Sequence, residues 1–258
     1  MKFLMCSPEH YSISYEINPW MSVKNQSNKN KSVKQWQNLV DLIKELGGEI
    51  ELMSGVDSLP DIVFTANAGI IIDKKVIISK FKYPERQPEK QHYKNWFLEN
   101  NFEVEETELN FEGAGDTLFC DKTWYCGFGF RTDKDFYYEK FPCLGSIYFL
   151  RLIDPYFYHL DTCFCPLTGN DALIFPEAFD PIYYKGLSNN LNLIEIPREE
   201  AAKFACNAIC LGENVIVSAD CPKTEELLKN NGYNPYALNL SEFNLAGGSA
   251  KCLTLRLD

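Results

Sequence analysis

The sequence predicts an α/β fold, a closed ring with pseudo-fivefold symmetry built from repeats of two strands, a helix and a strand. Three observations predict it. First, short β-rich blocks recur, each opened by a small polar segment: FTAN-AGIII, GAGD-TLFC, HLD-TCFC, FACN-AICL and GGSA-KCLTL. Their marked residues are Asn67, Asp116, Asp161, Asn207 and Ala250, at separations of 49, 45, 46 and 43. Second, most blocks continue as a β-hairpin. Third, helical stretches lie between the hairpins. A unit of about fifty residues cannot bury its own apolar faces, so neighbouring units must stack. Five of them use the whole chain, residues 1–258, as one domain.

The elements follow in order. The N-terminal KFLMC is an apolar strand that completes the last unit. A helix is expected from Ser32 to Leu46, with Val33, Trp36, Leu39, Val40 and Ile43 on one face and Gly47-Gly48 ending it. After Asn67, AGIIIDKKVIIS turns at Asp73-Lys74. Residues 85–101 form a second helix carrying Tyr93, Trp96 and Phe97. After Asp116 the turn is Asp121-Lys122, after Asp161 it is Thr168-Gly169-Asn170-Asp171, and after Asn207 it is Gly212-Glu213-Asn214. Apolar residues alternating around such a turn are the hairpin signature. A helix from Thr224 to Asn230 stops at Gly232, and a short one starts at Ser241.

Composition narrows the function. The net charge is −11, from 25 Lys plus Arg against 36 Asp plus Glu, which argues against a nucleic-acid partner. A hydrophobic content of 45% excludes disorder. The N-terminal apolar run is too short for a signal peptide, and no apolar stretch is long enough to span a membrane, so a cytoplasmic protein with no membrane partner is expected. The ten cysteines are then expected to be reduced, and most to be small core residues. Cys163-x-Cys165 and Cys206-x3-Cys210 are present but no CxxC pair is, so a zinc site is poorly supported, and no metal or other cofactor is expected.

In such a ring the polar residues that open each block converge on one mouth of a central channel. There they can grip a small polar ligand, or serve only as turn and cap formers. Asn207 is read in the second way. Only three histidines exist, and His159 stands two residues before Asp161. Read as a strand, that spacing puts both on one face. His10 and His92 fall in loop and helix contexts and receive no role. Glu112 and Cys252 sit among small residues that let a ligand approach the backbone. A thiol, an imidazole and carboxylates at matched block positions make a nucleophile, an acid/base and a cation-binding set.

These segments resemble the guanidino-group-modifying (amidinotransferase) superfamily. The resemblance runs from MCSPEHY and INPWM through PDIVFTANAG, FEGAGD, FRT and FYHLDTCFCPL to AGGSAKCLTLRLD. In particular they are similar to the arginine dihydrolase domain of cyanobacterial arginine-catabolic enzymes. The resemblance implies a five-bladed β/α propeller, the pentein fold. It implies conversion of arginine to ornithine, two ammonia and carbon dioxide. Such domains are often fused to a C-terminal extension. The chain ends six residues after Cys252, so no extension activity is expected. The relatives imply Cys252 as nucleophile, His159 as acid/base, Glu112 as its partner and Asp161 as the guanidinium-binding carboxylate. They imply Arg86 and Arg131 at the substrate α-carboxylate, with Asn18, Asp61, Phe64, Asp116 and Ala246 on the substrate side. A homo-oligomer is left open.

The chemistry explains these residue types. A guanidinium carbon is electron-poor, resonance-stabilised and cationic. Carboxylates hold its N–H groups. The cation in turn favours the thiolate of a nearby cysteine. The resemblance also shows a departure. Arginine deiminases carry FTRD where this chain reads Phe64-Thr65-Ala66-Asn67. A carboxylate there favours a cation. The Asn67 amide both donates and accepts, so it suits a neutral ureido group held for a second attack. Dimethylargininase or single-round deiminase chemistry is the nearest rival. An amidinotransferase and a non-catalytic binding propeller are further ones.

Overall fold

The computed structural model describes residues 1–141 and 145–258. It holds five three-stranded sheets, each an antiparallel pair extended by a parallel third strand. In the first, β1 (Lys2–Cys6) runs parallel to β2 (Glu49–Met53). The second is β3 (Gly69–Ile72), β4 (Lys75–Ile78) and β5 (Glu103–Glu105). The third is β6 (Thr117–Cys120), β7 (Thr123–Phe128) and β8 (Ser146–Arg151). The fourth is β9 (Phe164–Pro166), β10 (Asp171–Ile174) and β11 (Asn192–Glu195). The fifth is β12 (Ile209–Leu211), β13 (Asn214–Ser218) and β14 (Asn234–Leu238). Finally β15 (Leu255–Arg256) pairs antiparallel with β1, joining the two ends of the chain in the first sheet.

The turns explain the hairpins. Asp73, Asp121 and Lys122 have φ of 57°, 43° and 65°, the left-handed values that a two-residue turn matching strand twist requires. Five helices lie on the crossovers to the parallel third strands, α1 (Lys29–Glu45), α2 (Glu89–Glu99), α3 (Lys134–Lys140), α4 (Pro181–Tyr184) and, later in the chain, α6 (Pro222–Asn230), while α5 (Arg198–Ala201) and α7 (Ser241–Asn244) connect one sheet to the next. Helix α1 starts earlier than its apolar pattern suggests, because the Asn28 side chain accepts from Lys31 N and caps it. It buries Trp36, Leu39, Val40 and Ile43 as expected, but Val33 is exposed and Ser32 and Gln35 take its place inward. Gln35 is buried because its amide bonds Asn239 and Ser241. Helix α2 is shorter than residues 85–101, since Pro88 caps it. Arg86 therefore lies in the turn before the helix.

The blocks' marked residues do not stand on strands. Asn67 lies in a 3-10 turn, Thr65–Ala68, and Asp161 in another, Leu160–Thr162. Asp116 closes a third, Gly113–Gly115. The period-two argument placing His159 and Asp161 on one strand face is thus corrected: His159 is extended and Asp161 is in the turn that follows. Each turn hydrogen-bonds the next block. Asn67 Nδ2 donates to Glu112 O at 3.0 Å, and Leu160 N donates to Asp116 Oδ1 at 3.0 Å. Asn207 Nδ2 donates to Asp161 O at 3.0 Å, Lys251 N donates to Asn207 O at 3.2 Å and Ala66 N donates to Cys252 O at 3.1 Å.

Candidate active site

One small cavity is lined by Ile17, Asn18, Asp61, Phe64, Asn67, Arg86, Arg131, Tyr158, His159, Ala246, the Gly247-Gly248 pair and Cys252. Glycine is required at 247, where φ is +87° and an added Cβ would stand 2.6 Å from the Tyr158 hydroxyl. Nine of the residues expected at a site line this cavity. Glu112, Asp116 and Asp161 stand behind it.

His159 Nε2 lies 2.7 Å from Glu112 Oε2, and both side chains are buried. Arg131 Nη1 donates to the same oxygen at 3.0 Å, and its guanidinium sits over the rings of Tyr83 and Tyr158. Burial pushes the Glu112 carboxyl up, but the Arg131 charge and then His159 outweigh it and hold it far below the usual carboxylate range. Glu112 is thus a fixed anion that orients the imidazole.

On the other side of the cavity, Cys252 Sγ lies 3.5 Å from Asp161 Oδ2 and 3.1 Å from Asn207 Nδ2. Asn207 Oδ1 accepts from Cys252 N at 3.1 Å and Ser249 N at 2.9 Å. Asn207 is therefore more than a turn residue, the role the sequence suggested. It clamps the backbone leading into Cys252 and donates to the sulfur. The repeat itself held the signal, since Asn207 stands where Asn67, Asp116 and Asp161 stand in their blocks. Burial, then the Asp161 charge, push the Cys252 thiol well above its usual range. Burial pushes Asp161 up to about 7, against the pull of Lys251, Cys252 and Asn207. A cation bound beside them favours both ionised forms.

The two arginines are held by carboxylates of the chain. Arg86 makes a bidentate pair with Glu89, at 2.9 and 2.8 Å, and gives Nη1 to Asn67 Oδ1 at 2.9 Å. Arg131 Nη2 donates to Ile17 O at 2.9 Å. Both still line the cavity. Asn18 Nδ2 donates to Ala246 O at 3.0 Å, which fixes the loop beneath Cys252. Asp61 is buried and its Oδ1 has no hydrogen-bond partner, so it lacks a donor at the cavity wall. Asp116, expected on the substrate side, is not in the cavity wall. It accepts from Leu160 N and from Thr132 Oγ1 at 2.7 Å, and so sets the backbone beside His159. His10 is exposed and His92 half-buried on α2, away from the site. The described cysteines are free thiols, all but Cys210 buried; Cys143 lies outside the described residues.

Comparison with known proteins identifies the family. The family model described as N,N dimethylarginine dimethylhydrolase, eukaryotic, matches residues 10–257. The chain is 41% identical to the bifunctional arginine dihydrolase/ornithine cyclodeaminase ArgZ of Synechocystis, over 100% of this chain and 38% of that protein. It is 32% identical to an N(G),N(G)-dimethylarginine dimethylaminohydrolase of Mycobacterium tuberculosis, over 99% of this chain and 85% of that one. The chain thus spans about two fifths of the length of the bifunctional relative. The crystal structure of the N-terminal domain of ArgZ bound to product superposes with a TM-score of 0.95 at 40% identity, covering 100% of this chain and 97% of that one.

Proposed function

Since the chain belongs to the N,N-dimethylarginine dimethylhydrolase family, whose members cleave guanidino carbon–nitrogen bonds, we propose that it is an arginine dihydrolase. It would convert L-arginine and two waters to L-ornithine, two ammonia and carbon dioxide. The observation that carries this reading is the cavity in which Cys252, His159 and an amide at Asn67 meet, in a chain matched end to end by dihydrolase domains.

In this reading the guanidinium enters beside Cys252, with Asp161 behind the thiol and the Asp61 carboxylate at the cavity wall. Arg86 and Arg131 face the substrate carboxylate. The cation favours the Cys252 thiolate, which attacks the guanidinium carbon, forming a C–S bond. The C–N bond breaks, and ammonia leaves with a proton from His159. Water then attacks the thiouronium. His159 takes its proton and the C–S bond breaks, leaving a ureido group. Asn67 has one N–H and one oxygen lone pair beyond its bonds to Glu112 O and Arg86. These suit a neutral ureido group. A second thiolate attack expels the second ammonia and leaves a thiocarbamate. Its hydrolysis gives an N-carboxy product that loses carbon dioxide.

We also read the five sheets as a closed five-bladed propeller. The hydrogen bonds that link each block's turn to the next, and the fifth to the first, support it. Cys252→Ser should abolish ammonia release while leaving thermal unfolding within a few degrees. Ammonia release that persists in that variant excludes Cys252 as nucleophile. The family match favours one rival, a dimethylargininase. Dimethylamine released from dimethylarginine faster than ammonia from arginine would establish that rival.

A further inference from the structure

A second cavity, of about 380 Å³, lies among the strands that follow the five site turns. Each sheet supplies an apolar wall residue: Leu255, Ile70, Leu118, Phe164 and Ile209. Its volume falls within the usual range of small-molecule sites, about 300–1,000 Å³. It shares no lining residue with the candidate active site, yet the two meet across one peptide bond. Cys252 lines one cavity and Lys251 lines the other.

Lys251 is the unusual feature of this cavity. Burial lowers its pKa, while the Asp161 charge acts to raise it. Among the described residues its ammonium makes no ion pair, whereas the neighbouring Arg256 donates to Asp258 at 3.0 Å. The cavity therefore presents a largely apolar wall, the N-terminus and Arg256 paired with Asp258, and one ammonium, that of Lys251, with no ion-pair partner among the described residues. A neutral guest leaves that ammonium unpaired, and a cation is repelled by it. A highly charged anion cannot be solvated by aliphatic and aromatic walls.

We propose that this cavity binds a small amphipathic monoanion, a carboxylate with an aliphatic chain, its head group on Lys251 and its chain among the strand residues. The ligand would sit on the far side of Asp161 from the arginine site, and both could be filled together.

The test is calorimetric titration of sodium hexanoate into the Cys252→Ser chain, with and without saturating L-arginine. The signal is binding heat, so it is read independently of turnover. Saturable binding that arginine does not displace is expected. Lys251→Met should weaken it at least tenfold, and Lys251→Arg should retain most of it. Ile71→Trp, which adds bulk at a half-buried wall position, should weaken it similarly while leaving arginine binding intact. Absence of saturable binding overturns the proposal. So does displacement by arginine, which would place the anion on Arg86 and Arg131, or unchanged affinity in the folded Ile71→Trp or Lys251→Met chain.

Discussion

At the residue scale, the proposed mechanism makes Asp161 the carboxylate that receives a cation. Its carboxyl is pushed up to about 7 by burial. Below that pH the free site holds a proton there that a guanidinium must expel. Arginine affinity, measured on the Cys252→Ser chain, should therefore weaken as pH falls from 8 to 6, approaching about tenfold per unit below 7. Asp161→Asn should bind arginine more weakly and lose this slope. A flat profile in the Asp161 chain removes the carboxylate from cation binding. Asn67 supplies a second prediction. The Glu112 carbonyl accepts from its amide, so Asn67→Asp sets an anion against that oxygen and favours a cationic guest over a neutral one. Citrulline should then accumulate from arginine, by chromatography, with ammonia per arginine falling toward one. An unchanged product ratio would detach Asn67 from the second round.

At the element scale, the short turns before β3, β6, β9, β12 and β15 carry the candidate residues, and glycines among them are spatially constrained. A Cβ on Gly115 would stand 2.4 Å from Asn67 Nδ2 and 3.4 Å from His159 Cγ. Gly115→Ala should fold but displace the Asn67 amide, lowering ornithine formation at least tenfold. Wild-type turnover in that variant would show that the amide's position does not matter. Asn207→Ala strands Cys252 N and Ser249 N in a buried site, at about 1–3 kcal/mol per lost partner. Thermal unfolding and the rate of Cys252 alkylation should both change; if neither does, the clamp is not structural. The turns also mark what could be read in advance. Hairpins were legible because apolar alternation and Asp/Asn/Gly turns are local. The segment from His159 to Asp161 was misread as strand because a 3-10 turn of three residues has no periodicity to show. Val33 was misassigned for a related reason: the polar Gln35 is buried through hydrogen bonds to Asn239 and Ser241, which a single helix's pattern does not contain.

At the scale of the whole molecule, the repeat explains both the architecture and the site. Blocks about fifty residues apart each place one turn against that of a neighbouring block, and hydrogen bonds join these turns in succession. Cys252, His159 and Glu112 were proposed because each lies within four residues of a block's marked position and because those segments resemble a known superfamily. The internal partners of Arg86 and Arg131 were not. Glu89 pairs with Arg86 from the start of α2, and Ile17 O reaches Arg131 from a loop distant in sequence, contacts that only the folded chain creates. The central claim is two rounds of hydrolysis in one cavity. Its most direct test is the ammonia-to-ornithine ratio with L-arginine as sole substrate. Two ammonia per ornithine, with little citrulline, is the predicted result. One ammonia per arginine with citrulline accumulating would contradict it.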